Sequence, residues 1–217
     1  MAEDVLTLTC TVPSKEAMTE LGRRLAAVLK PGDLLLLYGA LGAGKTTFVQ
    51  GLAHGLGIEN TVSSPTFVLI QTYHGRVTLH HMDLYRLPPG EDLGFQEYVD
   101  DEAVVAVEWP ESAEDFWPVE RMVLSIDYGC DLDDRDASTD DIPTHDVYHP
   151  TVQLDDAYPP KVLAHDVHHH DVFTDTNNLP GSSIRRLSLS LVGKRYIERR
   201  AEFEKILKEV CDAHSRP

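Results

Sequence analysis

A glycine-rich run near the start of the chain has the composition of an anion-binding loop: Gly39-Ala40-Leu41-Gly42-Ala43-Gly44-Lys45-Thr46. It matches the pattern G-x-x-x-x-G-K-[ST], follows an apolar run typical of a buried strand, and precedes a predicted helix over 45–56. Glycines let backbone N–H groups turn inward around a phosphate, lysine adds positive charge, and the threonine hydroxyl can bind Mg²⁺. The run therefore predicts a nucleoside triphosphate site whose binding residues are Gly39, Leu41, Gly42, Ala43, Gly44, Lys45, Thr46 and Thr47.

Two carboxylates end predicted strands and are candidates for holding the ion or its water shell. Glu108 follows the apolar run 103–107, and Asp83 follows the predicted strand 76–82. In open α/β sheets, ligands bind outside the carboxyl ends of the strands, which is where both acids would lie. Each could equally be a solvated carboxylate at a strand end, so the spacing leaves open which of the two touches the metal.

Hydroxyl groups precede the next predicted strand, in Ser63-Ser64-Pro65-Thr66. In many nucleoside triphosphatases a hydroxyl from this position reaches the metal and the γ-phosphate and acts as a switch. The alternative is a proline-braced turn that only begins the strand. Trp109-Pro110, directly after Glu108, is either a packing element or a contact for a partner.

The loop alone leaves the reaction open. The guanine-reading pattern Asn-Lys-x-Asp is missing from the sequence, so ATP is the expected nucleotide, and Arg185 and Arg186 are candidate nucleotide contacts. Three functions remain: an ATP hydrolase, a non-catalytic ATP-dependent binding module, and a small-molecule phosphotransferase. The middle of the chain has no cluster of arginines of the kind a phosphotransferase lid uses, which weakens the third reading.

The elements that position these residues alternate along the chain, which predicts an α/β fold with helices covering a sheet that has a parallel core and antiparallel additions. Ser14 is the expected N-cap of a helix that ends at Pro31-Gly32. The two strands on either side of His74-Gly75 should pair as a hairpin, and 184–192 alternates like an edge strand. The predicted strands are 6–8, 33–38, 67–73, 76–82, 103–107, 122–126 and 184–192; the predicted helices are 14–29, 45–56, 91–98 and 194–214.

The charge is uneven and suggests the domain organisation. The chain of 217 residues carries a formal net charge of −17, which disfavours a general nucleic-acid-coating role. Between residues 127 and 183 there are 13 aspartates against Arg135 and Lys161. We therefore predict a core over 1–126, an acidic, disordered insertion over 127–183, and a final strand and helix over 184–217 that complete the core.

The insertion contains His-Asp-Val-x-His twice, at 145–149 and 165–169. Imidazole and carboxylate groups suit Zn²⁺ or Ni²⁺, so a metal buffer is one interpretation. A solvated loop without a fixed structure is the favoured one, and an acidic arm that competes at a basic partner surface is a third.

Targeting signals and cysteine pairing are not indicated. The first residues are acidic, the apolar runs are far shorter than a membrane span, and Cys10, Cys130 and Cys211 lie far apart without a C-x-x-C pattern. A cytoplasmic protein with no membrane association is the expectation.

Four motifs in order make the sequence resemble the TsaE (YjeE-type) ATPase family, over residues 5–126 and more weakly over 184–200. They are Tyr38–Phe48, Ser63–Phe67, Met82-Asp83-Leu84-Tyr85-Arg86-Leu87 and Val107-Glu108-Trp109-Pro110. The resemblance implies a P-loop NTPase-type three-layer sandwich. The chain departs from the family after residue 126, where a short link would be expected in place of 127–183.

The resemblance also implies a function. It would make the chain the ATPase subunit required for N6-threonylcarbamoyladenosine modification at position 37 of tRNA. Such a subunit is weakly active alone and uses ATP and Mg²⁺ to drive turnover of its partners TsaB and TsaD, which would bring it to tRNA indirectly.

The same resemblance implies roles for single residues. Lys45 would hold phosphates, Thr46 and Glu108 would be ligands of Mg²⁺, and Asp83 would orient water or neighbouring groups. Thr66 would belong to the switch loop, and Arg185, with the segment near Ser14, would lie toward the adenine.

Overall fold

A mixed β-sheet organises the chain in the computed structural model, which describes residues 4–88, 90–99, 102–129 and 184–213, without the side chains of 212 and 213. The strands in these ranges are β1 (Val5–Val12), β2 (Leu34–Tyr38), β3 (Ile70–Tyr73), β4 (Thr78–Asp83), β5 (Ala103–Glu108), β6 (Arg121–Tyr128) and β7 (Arg185–Val192). The helices are α1 (Lys15–Leu25), α2 (Lys45–Gly55), α3 (Lys194–Ile197) and α4 (Arg200–Ala213).

The strand order is β1-β7-β6-β2-β5-β4-β3. The four central strands β6, β2, β5 and β4 are parallel, β3 joins β4 as an antiparallel hairpin, and β7 and β1 extend the other side antiparallel. The α/β fold with a parallel core and antiparallel additions is therefore confirmed, and so is the hairpin around His74-Gly75.

Side chains of β2 alternate between two apolar cores, because helices or loops cover both faces of this central strand. Leu35 and Leu37 belong to the core under α1, α2 and α4, whereas Leu34 and Leu36 belong to the core on the opposite face. The opposite face is covered by two 3₁₀ segments, Phe95–Glu97 and Pro110–Phe116, together with Trp117.

Helices α1 and α2 approach each other closely, which sets the position of the phosphate loop. The Ser14 hydroxyl accepts a hydrogen bond from the Ala17 N–H at 3.2 Å and caps α1, as predicted. A Cβ at Gly51 of α2 would collide with the Thr19 carbonyl of α1, so this contact requires glycine.

Several predicted elements differ from the structure. Strand β7 is not an edge strand, because it pairs with both β1 and β6, and β1 forms the edge. Its alternating pattern reflects one buried face and one more exposed face. An antiparallel strand shows this pattern both at the edge and in the interior of a sheet. The first residues of the predicted strand 67–73 form a turn in which Leu69 has φ 64°, so β3 begins at Ile70.

The predicted helices 91–98 and 194–214 are also shorter or divided. The first is a single 3₁₀ turn, Phe95–Glu97, and the second is split between α3 and α4. The predictions for the acidic insertion, its histidine repeats and Cys130 concern residues outside the described ranges. Within those ranges, no helix combines the length and the apolar character needed to cross a bilayer.

Candidate nucleotide and metal site

The glycine-rich loop joins the end of β2 to the start of α2, as the sequence predicts. Gly42 and Gly44 have φ of 76° and 113°, a left-handed backbone that favours glycine. Gly44 is the N-cap of α2, so the N–H groups of the first helical turn point into the loop. The backbone is therefore arranged as an anion-binding site.

A cavity in front of this loop brings together most of the predicted site residues. Its walls are Leu41, Gly42, Ala43, Gly44, Lys45, Thr46, Thr47, Ser64, Thr66, Asp83, Tyr85, Glu108 and Trp109. Gly39 and Arg185 do not line it. Both strand-end acids face the cavity, because parallel pairing places Asp83 of β4 directly beside Glu108 of β5.

Glu108 connects the loop to the sheet. Its Oε2 accepts a hydrogen bond from the Thr46 hydroxyl at 3.0 Å, and its Oε1 lies 2.9 Å from Nε2 of His81. The glutamate is 3% exposed. Both carboxylate oxygens are therefore held, one by the phosphate loop and the other by β4.

Asp83 connects the hydroxyl-rich loop to the same cavity. Its Oδ2 accepts hydrogen bonds from Thr66, at 2.7 Å, and from the Ser64 hydroxyl, while its Oδ1 accepts from the Tyr85 N–H at 3.1 Å. The two acids are thus engaged differently: Glu108 contacts the phosphate loop, and Asp83 contacts the candidate switch loop.

Lys45 is buried against the loop that it follows. Its ammonium donates to the carbonyl oxygens of Gly39 and Ala40, the second at 3.1 Å, and lies 3.6 Å from the ring centroid of Trp109. Burial lowers the pKa of Lys45, and the negative charges of Glu108 and neighbouring carboxylates act in the opposite direction. A triphosphate would add further negative charge at this ammonium and favour its protonated form.

Trp109 forms part of the wall beside the lysine. Its backbone is left-handed, with φ 58°, and its ring lies 4.9 Å from that of Tyr85. The sequence left open whether this tryptophan packs internally or meets a partner. The structure places it against Lys45, inside the site.

Arg185 contacts the back of the phosphate loop rather than the cavity. Its Nε donates to the Ala43 carbonyl at 3.2 Å, and its guanidinium lies 4.2 Å from the ring centroid of Tyr128. The Tyr128 hydroxyl donates to the Leu41 carbonyl at 2.8 Å. These two side chains brace the loop from β6 and β7, and the nucleotide contact of Arg185 stays a prediction.

Sequence reasoning singled out Thr66 and missed three other side chains of this arrangement: Ser64, His81 and Tyr85. Ser64 was within the named loop but was not chosen. His81 is two residues before Asp83, so strand periodicity puts both on one face of β4; that spacing was the available signal.

The residues around the cavity fit a hard divalent cation. Thr46, Ser64, Thr66, Asp83 and Glu108 offer only oxygen ligands, the type that Mg²⁺ prefers. Within the described ranges there is no group of three or more His, Cys, Asp or Glu side chains that could hold a metal. Mg²⁺ typically takes one or two protein ligands together with phosphates and water, and the cavity's oxygen atoms could supply them.

Comparisons with known proteins agree with the fold. The family model described as "Threonylcarbamoyl adenosine biosynthesis protein TsaE" matches residues 12–137. A crystal structure of Bacillus subtilis YdiB superposes with a TM-score of 0.63 at 28% identity, covering 94% of this chain and 98% of that one. This structural likeness confirms the α/β fold of the P-loop NTPase type.

Two relatives are described as tRNA threonylcarbamoyladenosine biosynthesis protein TsaE. The protein from Bacillus subtilis (strain 168) is 50% identical over 103 residues, which are 46% of this chain and 65% of that protein. The one from Treponema pallidum (strain Nichols) is 42% identical over 120 residues, 54% of this chain and 89% of that protein. The chain belongs to the TsaE family of threonylcarbamoyl adenosine biosynthesis proteins.

Proposed function

We propose that this chain binds ATP with Mg²⁺ and hydrolyses it, as the ATPase subunit that drives turnover of a TsaB–TsaD complex. The observation that carries the proposal is the 3.0 Å hydrogen bond between Thr46 and Glu108, beside the buried Lys45. This contact joins a phosphate-binding loop to an acid at a strand end, the arrangement in which P-loop enzymes hold a metal ion against the β- and γ-phosphates.

The loop and Lys45 would bind the phosphates. The N–H groups of α2's first turn would donate to phosphate oxygens, and the lysine ammonium would move from the carbonyl oxygens of the loop to the β/γ-phosphates. The Thr46 hydroxyl and Glu108 would hold Mg²⁺, which when bound would neutralise charge on the phosphates. Few protein ligands are needed, because the triphosphate supplies others.

Asp83 and the hydroxyl-rich loop would act on the attacking water. In hydrolysis, a water oxygen bonds to the γ-phosphorus while the bond to the β–γ bridging oxygen breaks and ADP leaves. Asp83 binds Thr66 and Ser64, so a movement of their loop toward the γ-phosphate would release its Oδ2 to orient that water. The site would then be complete only after the loop moves.

The biological role follows from the family. The matching family model and the relatives carry the name of threonylcarbamoyl adenosine biosynthesis, so we assign the ATPase to modification of tRNA at position 37. The net charge of −17 opposes direct binding to the tRNA backbone. Contact with tRNA would therefore come through TsaB and TsaD in the cytoplasm.

A second candidate is an ATP-dependent binding module without hydrolysis. It is favoured by the hydrogen bonds to Asp83, because both carboxylate oxygens are occupied by the chain's own donors. With the loop held in this place, Oδ2 of Asp83 already accepts two hydrogen bonds and has no acceptor position left for a water molecule.

ATP hydrolysis by the purified chain, measured alone and with its cognate TsaB–TsaD pair, distinguishes the hydrolase from the ATP-dependent binding module. We expect a low rate alone and a marked increase with the pair, both lost in Lys45→Ala. ATP-dependent association without hydrolysis would favour the binding module. ADP release that needs an added acceptor metabolite would instead indicate a phosphotransferase.

A further inference from the structure

His81 is a fully buried polar side chain that the proposed chemistry does not use. It lies on β4, two residues before Asp83, and is 0% exposed. Its Nε2 is 2.9 Å from Glu108 Oε1, while its Nδ1 has no hydrogen-bond partner among the described residues. Burying an unpartnered ring nitrogen is unfavourable, so a residue of purely structural value would more often be apolar here.

The neighbours of His81 show what the same face of the strand otherwise carries. Leu79, two residues earlier, and Ala106 of β5, the registered neighbour of His81, both belong to the apolar core under α1, α2 and α4. On this face of β4 the imidazole therefore lies between an aliphatic side chain, Leu79, and the acid Asp83. Its one polar contact in the described structure is with Glu108.

The contact with Glu108 determines the role of Nε2. A carboxylate oxygen accepts, so Nε2 carries a proton and donates it to Glu108 Oε1. This bond holds Oε1, while Oε2 remains turned toward the Thr46 hydroxyl. Without the imidazole N–H, the carboxylate could rotate away from the phosphate loop.

We propose that His81 is a positioning residue whose Nε2–H orients the Glu108 carboxylate toward Thr46, so that binding of nucleotide with Mg²⁺ depends on it. The inference rests on the proposed function, because Glu108 and Thr46 are its metal-holding pair. Groups that orient metal ligands typically contribute 10- to 100-fold to metal affinity or activity. His81 is not among the residues that line the cavity, so it would act on the site through Glu108.

The test is nucleotide affinity of the full-length chain, measured by calorimetry with ADP and with a non-hydrolysable ATP analogue, in Mg²⁺ and in EDTA. His81→Leu should weaken binding in Mg²⁺ by about 10- to 100-fold and leave binding in EDTA unchanged. His81→Gln, whose amide N–H can reach the same carboxylate oxygen, should restore most of the affinity. His80→Leu is the matched control, because His80 faces the other side of β4 and contacts Thr72 and Tyr98.

Three results would overturn the inference. They are unchanged affinity of His81→Leu in Mg²⁺, an equal loss in Mg²⁺ and EDTA, and a loss in His81→Gln as large as in His81→Leu. A second measurement does not need a folded leucine variant: the ¹⁵N spectrum of histidine-labelled wild-type chain should show a proton on Nε2 of His81. A ring that carries its proton on Nδ1 and none on Nε2 would contradict the proposed orientation.

The outcomes also separate this inference from the function on which it rests. If the wild-type chain binds nucleotide with Mg²⁺ but never hydrolyses it, even with TsaB and TsaD, the hydrolase assignment is wrong. The affinity series on His81 still decides the positioning role in that case. Conversely, normal hydrolysis with His81→Leu unaffected would retain the function and exclude the role of His81.

Discussion

The Thr46 hydroxyl donates to Glu108 Oε2 at 3.0 Å, which ties the first turn of α2 to the carboxyl end of β5. The other acid of the cavity, Asp83, makes no such contact with the phosphate loop and binds the loop of Ser64 and Thr66 instead. From the sequence alone, it was open which of Glu108 and Asp83 would contact the metal ion. Their different partners suggest a metal-holding role for Glu108 and a switch-linked role for Asp83.

Replacing each acid with alanine should therefore have different effects. Glu108→Ala should abolish the contribution of Mg²⁺ to nucleotide affinity. Asp83→Ala should leave binding in Mg²⁺ nearly unchanged and lower the hydrolysis rate by at least about tenfold, as expected for a group that orients a reacting water. Calorimetry and steady-state hydrolysis on both variants check this. Hydrolysis that survives both changes would show the metal assignment to be wrong.

Nucleotide affinity should fall at alkaline pH. Burial lowers the pKa of Lys45, so its folded-state titration occurs below the ordinary range for lysine. Below that pKa the Lys45 ammonium is charged and attracts the triphosphate, so nucleotide affinity does not change with pH. As the pH rises through the pKa, the charge and its attraction for the triphosphate are lost. Affinity measured against pH should show this decline, and Lys45→Arg, which stays protonated, should not. If the nucleotide affinity of the wild-type chain stayed constant over the alkaline pH range in which lysine loses its proton, the proposed role of the Lys45 charge would be contradicted.

The two side chains behind the phosphate loop should contribute to nucleotide affinity without touching the cavity. Tyr128→Phe removes one hydrogen bond to the Leu41 carbonyl and should cost about 0.5 kcal/mol of binding. Arg185→Leu, which removes the contacts with Ala43 and the Tyr128 ring, should cost more. Arg186→Leu is the control, because Arg186 is exposed and should have no effect. A larger loss in that control than in Arg185→Leu would reverse the assignment.

A buried ion pair should stabilise the fold at the end of the sheet opposite the site. Asp33 is 0% exposed and accepts from Arg199 at 2.9 Å and from Arg195 at 3.1 Å. Arg199→Leu removes the more deeply buried of the two partners while Arg195 remains, so it should lower the free energy of unfolding by less than the roughly 3–5 kcal/mol that a fully unpaired buried charge costs. Denaturant unfolding measures it. The exposed pair Lys194–Glu198 is the control, since Lys194→Ala should change stability by less than about 0.5 kcal/mol.

Cys10 should be a slow nucleophile. A hydrogen bond with the Cys211 thiol, then burial, raises the pKa of the Cys10 thiol. Iodoacetamide at pH 8, followed by peptide mass spectrometry, should modify Cys10 far more slowly than free cysteine. Cys211→Ala should speed the reaction by removing the principal cause. Equal rates in the two proteins would show that burial alone protects the thiol.

Much of the fold could be predicted from local patterns. The phosphate loop needs glycine at positions with φ > 0 and a lysine and threonine at fixed spacing, so eight consecutive residues carry the information. The continuous apolar run of β2 predicted a strand covered on both faces, which the two cores confirm. The alternation along β7 predicted a strand but not which strands lie beside it. Periodicity indicates which face of a strand is buried, but it does not indicate which strands pair with it.

The arrangement of the site was decided by tertiary structure. Parallel register places Asp83 beside Glu108 and brings His81 within reach of Glu108, although His81 and Glu108 are 27 positions apart in sequence. Likewise, α2 must pack against the sheet before Thr46 can meet Glu108. The sequence by itself determined which chemical groups are present and which short segments form strands, helices and the anion-binding loop. Only the folded sheet decided that Glu108 meets the phosphate loop and that His81 contacts this glutamate. These hydrogen bonds depend on distances between residues far apart in sequence, which strand pairing and helix packing establish.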